Sequence, residues 1–222
     1  MTDPITAREF HASEGAEDWR VVGDGACAFF HTGSFAAGAR LVRAISELSD
    51  LEDHPPDVDL RPDGVTVRLL TRSDQYYGMT QHDLELARQI SDLAREQGLT
   101  ADPSAIQGFL VIPGAPNTAA VMPFWRAVLG YEPRGDSPDE DLVDPRNRNP
   151  AFWFEEMAEP RSDGGGAIHV AIWVPPDQAE ARVAAALAAG GHMVRDENAP
   201  SWWTLADSAG NEADIATTQG RD

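Results

Sequence analysis

The stretch LEDHPPDVDL (51–60) offers the first chemistry in this sequence. His54 lies between Asp53 and the pair Pro55-Pro56, with Asp57 and Asp59 just downstream. An imidazole gains and loses a proton near neutrality, and neighbouring carboxylates raise its affinity for that proton. The stretch therefore suits a proton-transfer loop. It equally suits a rigid acidic turn, in which the prolines stiffen the chain and the acids face water. Cys27, in the apolar run ACAFF, reads as a buried structural thiol or as a nucleophile. No basic residue nearby would lower its pKa, which favours the first reading. His11, His31, His82 and His192 have no partner pattern around them.

Charge bounds the partners. The 222 residues carry 17 Lys and Arg against 37 Asp and Glu, a formal net charge of −20. Such a surface repels phosphate backbones and anionic lipid, so the expectation is a small-molecule ligand, with no nucleic acid and no membrane. The opening MTDPITAREFHASEGAEDW has no basic n-region and no apolar h-region, and no run approaches the ~20 apolar residues of a membrane span. A single cysteine excludes an internal disulfide framework and suits a reducing, cytoplasmic setting.

The elements that must position these residues fall into two halves, punctuated by Gly98, Asp102 and Pro103. Trp19 to Phe30 alternates loosely, as a strand does. Residues 33–48 place Phe35, Ala39, Val42, Ala44 and Ile45 at near-helical spacing. VTVRLLT (65–71) alternates Val65, Val67 and Leu69 against Thr66, Arg68 and Leu70. Thr80 reads as an N-cap with Asp83 three residues on, opening a helix whose one face carries Leu84, Ala87, Ile90, Leu93 and Ala94. The second half predicts a strand at GFLVIP (108–113) and a helix at 119–131. Short strands follow near 142–144 and 151–156, then a strand at 168–174 and a helix at 177–191. Strand-like HMV, SWWTLAD and NEADIAT close the chain. The order βαββ(β) thus recurs at a spacing of about 60 residues.

FWRAVLGY (124–131), IHVAIWV (168–174) and DSAGNEADI (207–215) resemble the vicinal oxygen chelate superfamily, which includes glyoxalase I, extradiol dioxygenases and bleomycin-resistance proteins. The resemblance implies two βαβββ modules paired into a cupped sheet that holds a small molecule and, in many members, a divalent metal. It assigns His169 and Glu212 as ligands, with Glu155 near a further ligand place. The first-strand ligand would fall at Phe109, or at Gln107 if the register shifts. One His and two carboxylates would suit Zn, Ni, Mn or Fe. A metal-free organic pocket and plain structural hydrogen bonding stay open beside that reading. Trp125 and Trp153 are candidates to line a cleft for a flat ligand.

DWRV (18–21), FFHTGSFAAG (29–38), DHPPDVDL (53–60), VTVRLLT (65–71) and GMTQHDLELARQI (78–90) resemble the pterin-4a-carbinolamine dehydratases. That family's motif is His-His-Pro-(Glu/Asp), with a third His eighteen residues after the first. Here His54 and Asp57 match, Pro55 stands at the second His, and Arg72 at the third. Proline transfers no proton and arginine stays charged, so ordinary dehydratase activity is in doubt. The resemblance leaves His54, Asp57 and Arg72 as catalytic candidates, with Arg72 able to clamp an anionic group. Asp53, Tyr76 and Tyr77 become candidates for substrate contact.

The expected architecture is α+β in two domains: a dehydratase-like α+β sandwich over residues 1–102, then paired βαβββ modules over 103–222. Two functions compete. One is a lyase or dehydratase-type enzyme acting on a cyclic or carbonyl-bearing metabolite, with one divalent metal or none. The other is a module that binds or sequesters a drug or metabolite without turnover. Both resemblances imply a homodimer.

Overall fold

The computed structural model describes residues 3–49, 51, 54–157, 168–188, 190–206 and 212–221. These divide into two compact units, 3–72 with 77–106, and 107–221 with 73–76. The division along the chain falls at Ile106/Gln107, where the sequence reading set it at 102/103.

The first unit opens with α1 (Ala7–Ala12), then β1 (Arg20–Val22), β2 (Gly25–His31), α2 (Phe35–Ser46), β3 (Asp57–Leu60) and β4 (Gly64–Leu69). A small hairpin of β5 (Thr71–Ser73) and β6 (Tyr76–Gly78) leads into α3 (Gln81–Glu96), and β7 (Thr100–Ala101) follows. The main sheet runs β1-β2-β4-β3 with every pair antiparallel, and β7 joins the end of β2. On β4, Val65, Val67 and Leu69 are fully buried while Thr66 and Arg68 are not, the alternation of a half-covered strand. Those side chains meet Leu41 and Ile45 of α2 and Leu84, Ala87 and Ile90 of α3 in one core. Each large aliphatic side chain so buried contributes about 1.5–3 kcal/mol. Helix α2 approaches the sheet at Gly38, where a Cβ would stand 2.4 Å from Leu60 Cδ1 and 3.0 Å from Val65 Cγ2. Trp19 is wholly buried, and its indole N–H donates to Ala87 O (3.1 Å) and Ser91 Oγ (3.0 Å), fastening β1's approach to α3. The sequence reading had no α1. Its signal is the capping box of Thr6 and Glu9.

The second unit holds β8 (Gly108–Ala115), α4 (Thr118–Leu129), β9 (Glu132–Pro133), β10 (Asp141–Val143), β11 (Phe152–Trp153) and β12 (Glu155–Glu156). After these come β13 (Ile168–Trp173), α5 (Pro176–Ala188), β14 (His192–Arg195), β15 (Trp202–Ala206) and β16 (Glu212–Ala216). The sheet order is β14-β15-β16-β13-β8-β11-β10-β9, with β12 also on β8. The leading strands β8 and β13 pair antiparallel at the centre, and each pairs parallel with a closing strand of its own module. This is the expected doubled βαβββ arrangement. The LGY segment also acquires a cause: Gly130 takes a left-handed φ of 67° just past α4, and both Gly130 N–H and Tyr131 N–H return to Arg126 O. Tyr131 then turns inward and donates its hydroxyl to Pro150 O at 3.0 Å.

Strand alternation sorts this sheet into two faces. Val111 and Phe152 face the cluster beside α4, and Ile172, Leu205 and Ile215 face the cluster beside α5. Leu110, Ile112, His169, Ala171, Trp173, Trp202, Asp214 and Ala216 line the opposite, concave face. The helices cover one side, and the cup opens on the other.

Candidate functional site

In the first unit, His54 follows the residues 52 and 53 that lie outside the described chain, so the expectation for Asp53 has no structural counterpart. His54 finds a different carboxylate. Its Nε2 lies 2.6 Å from Asp83 Oδ1, and its side chain is 17% exposed while Asp83 is fully enclosed. Asp83 is the capping-box acid of α3, and its Oδ2 accepts from Thr80 N–H (2.7 Å), Thr80 Oγ1 (2.9 Å) and Thr71 Oγ1 (2.7 Å). Thr71 Oγ1 also stands 3.4 Å from His54 Nε2. Burial alone would push the Asp83 carboxyl up. The hydrogen bonds from His54, Thr71 and the Thr80 backbone outweigh it and hold the group below its ordinary value. A carboxylate only accepts, so Nε2 of His54 carries the donated hydrogen and Nδ1 is left as the ring's other nitrogen.

A second imidazole stands beside the first. His82, exposed on the first turn of α3, lies with its ring centroid 5.2 Å from that of His54, edge to face. Sequence reasoning passed over both His82 and the 29-residue link between His54 and Asp83, because the capping box already accounted for Asp83. Asp57, the acid of the motif, engages Arg72 instead of His54, at 3.7 Å and with both side chains more than a third exposed. Of the two tyrosines on β6, Tyr77 belongs to this unit and Tyr76 to the second. Cys27 is buried on β2, and burial pushes its thiol up to about 11, which leaves it a structural group.

The second site is the cup of the second unit, a cavity of about 570 Å³. His169 Nε2 lies 3.2 Å from Asp214 Oδ2, and Asp214 Oδ1 accepts from the buried Thr204 hydroxyl at 2.7 Å. Glu155 Oε2 stands 4.0 Å from His169 Nδ1, while Glu212 Oε2 binds Arg195 Nη2 at 3.3 Å. The hydrogen bond to Asp214 raises the His169 pKa, burial opposes that, and the charges of Asp214, Glu155 and Glu212 add to the rise. Trp153 lines the cup, whereas Trp125 packs on Phe152 at 5.3 Å in the cluster beside α4.

The donor set does not fit a divalent cation. Among the described residues, no three His, Cys, Asp or Glu side chains converge on one point. Both ring nitrogens of His169 face carboxylates, and Glu212 is paired with a guanidinium. On β8 the residue directly across from His169 is Ile112, and the other cup-facing residue there is Leu110. Phe109 and Gln107 belong to the other face of the strand. Phe109 is 48% exposed, and Gln107 accepts from Arg182.

Two family models match the chain: pterin 4 alpha carbinolamine dehydratase over residues 3–93 and a glyoxalase-like domain over residues 110–216. A protein of Nocardia farcinica named "Putative pterin-4-alpha-carbinolamine dehydratase" is 38% identical over 84 residues, covering 38% of this chain and 86% of the relative. Proteins of the same name from Mycobacterium avium and Mycobacterium leprae are 40% identical over 60 residues and 33% over 76. The matches cover 27% and 34% of this chain, and 62% and 79% of those relatives. Both kinds of domain bind small molecules. The chain belongs to the pterin-4-alpha-carbinolamine dehydratase family through its first unit, and it carries a glyoxalase-like domain in its second.

Proposed function

We propose that the first unit is a lyase that removes water from a small cyclic carbinolamine, with His54 as the proton-transfer group. The observation that carries this reading is the 2.6 Å bond from His54 Nε2 to the enclosed Asp83 carboxylate. A fixed anion behind one ring nitrogen sets the tautomer and aims the other nitrogen outward. In the reaction, the N–H proton of the carbinolamine goes to an imidazole and the hydroxyl leaves as water on receiving a proton. A C=N bond forms, and no net proton is consumed. One imidazole can do this in relay. Two do it together, and His82 stands at a ring-centroid distance that allows it to serve as the second.

Pro55 and Arg72 weaken the reading by removing two imidazoles that the family uses, and they favour binding without turnover as the second reading. Arg72 would hold an anionic substituent of the substrate, with Asp57 steadying it. A quinonoid-forming carbinolamine, followed by absorbance, separates the two readings. Wild type should accelerate its dehydration and His54→Ala should not; equal rates in the two proteins would sink the lyase assignment. A cytoplasmic setting, supported by the single free cysteine, belongs to the same proposal. So does a homodimer, to be checked by light scattering. No helix among the described residues is long and apolar enough to cross a membrane.

A further inference from the structure

We propose that the cup of the glyoxalase-like domain binds a flat organic cation, in the aromatic slot that the chain's own Arg221 occupies. The inference goes beyond the lyase reading and does not depend on it. The Arg221 guanidinium carbon lies 4.6 Å from the Trp173 ring centroid and 5.1 Å from that of Trp202, and all three residues line the cavity. Two indole faces around one planar cation are the arrangement that ring quadrupoles favour. Arg221 is exposed and its Nε donates to Thr217 O at 3.0 Å, so a ligand taking the slot must displace that hydrogen bond and the two indole contacts.

The charges around the slot select the same ligand sign. Among the described residues the cup's basic side chains are engaged: Arg195 by Glu212, His169 by Asp214, and Arg221 by the two indoles. Its remaining carboxylates are less committed. Glu140 and Glu155 are exposed on the wall, and the nearest ion-pair contact of either among the described residues is the 4.0 Å approach of Glu155 to His169. Among the described residues, an anion entering here would find no uncommitted cation and would meet the carboxylates of Glu140 and Glu155. A cation would find aromatic walls, those carboxylates and the attraction of a −20 protein. Trp153, 37% exposed at the rim, adds a third flat face. A cavity of about 570 Å³ holds a ligand of one or two rings.

The test titrates the full chain with three near-isosteric probes, phenylguanidinium, phenylurea and benzoate, followed by tryptophan fluorescence and calorimetry. Phenylguanidinium should bind at least tenfold more tightly than phenylurea or benzoate. Arg221→Ala should strengthen phenylguanidinium binding several-fold, because the resident guanidinium no longer competes. Glu155→Gln combined with Glu140→Gln should weaken it several-fold, and circular dichroism should show these exposed variants folded. Preference for benzoate, or weaker phenylguanidinium binding by Arg221→Ala, would overturn the proposal. So would the absence of any phenylguanidinium binding to folded Arg221→Ala. Dehydratase turnover is read separately, and its loss or survival does not bear on these outcomes.

Discussion

His54 and His169 are each held by an aspartate from a distant segment, yet the two pairs are built to opposite ends. Around His54 the carboxylate is the fixed partner: Asp83 is sealed from solvent and saturated by donors from Thr71, Thr80 and the imidazole. Around His169 the imidazole is the fixed partner, drawn toward its charged form by Asp214, Glu155 and Glu212. A histidine facing one anchored anion can pass a proton to a substrate. A histidine among three carboxylates holds its proton more tightly than a free imidazole does. The same residue pair is therefore biased in opposite senses: in one unit the carboxyl is held below its ordinary value, in the other the imidazole is held above its own.

The contrast predicts unequal responses to mutation. Asp83→Ala should have the largest effect, because it strands the Thr80 N–H and the His54 ring and opens the start of α3. Removal of one partner from a buried pair costs about 3–5 kcal/mol, read as a lower urea midpoint, and turnover should vanish with it. Next, His54→Ala should lower dehydration about 10²–10⁴-fold with the fold intact, whereas His169→Ala should leave that rate unchanged. Equal losses in the two would break the comparison.

The pH dependence sharpens it further. Because the folded His169 pKa is raised, the stabilisation from its pair with Asp214 is full below about pH 6.5 and fades as pH climbs through the folded value. Because the folded Asp83 pKa is depressed, its stabilisation is full above the ordinary carboxylate range and is lost only in strong acid. Unfolding of wild type and His169→Gln from pH 5 to 9 should show curves that converge on the alkaline side. Smaller still, Arg72→Ala should shift stability by no more than about 0.5 kcal/mol, since its pair with Asp57 is long and exposed. Dialysis against a chelator should leave the thermal midpoint unchanged, and a chelator-sensitive fold would revive the metal reading of His169, Glu155 and Glu212.

Periodicity made most of the elements legible. The face of α3, the alternation of β4 and the doubled module were readable because burial follows local spacing. The sites were less so, since their partners are brought together by tertiary packing. His54 and Asp57 are neighbours in sequence, yet Asp57 meets Arg72 while His54 meets an aspartate 29 residues on, in the first turn of α3. Asp83 was visible as a cap, and that sufficient local explanation concealed its second contact. In the cup, the resemblance supplied ligand positions, but the register of β8 against β13 sets Ile112 across from His169, and register is a pairwise property that one strand does not encode.

The double employment of Asp83 has a consequence for how this protein can change. The carboxylate that would steady the reacting ring also starts a sixteen-residue helix. A variant that abandons it must first survive as a folded molecule before its chemistry can be sampled at all. Pro55, before β3, and Arg72, on the short strand β5, start no helix and are open to replacement one at a time. Selection on folding alone therefore keeps the imidazole's anchor in place, so a lapsed activity here could be regained by changes at those two positions rather than rebuilt from nothing.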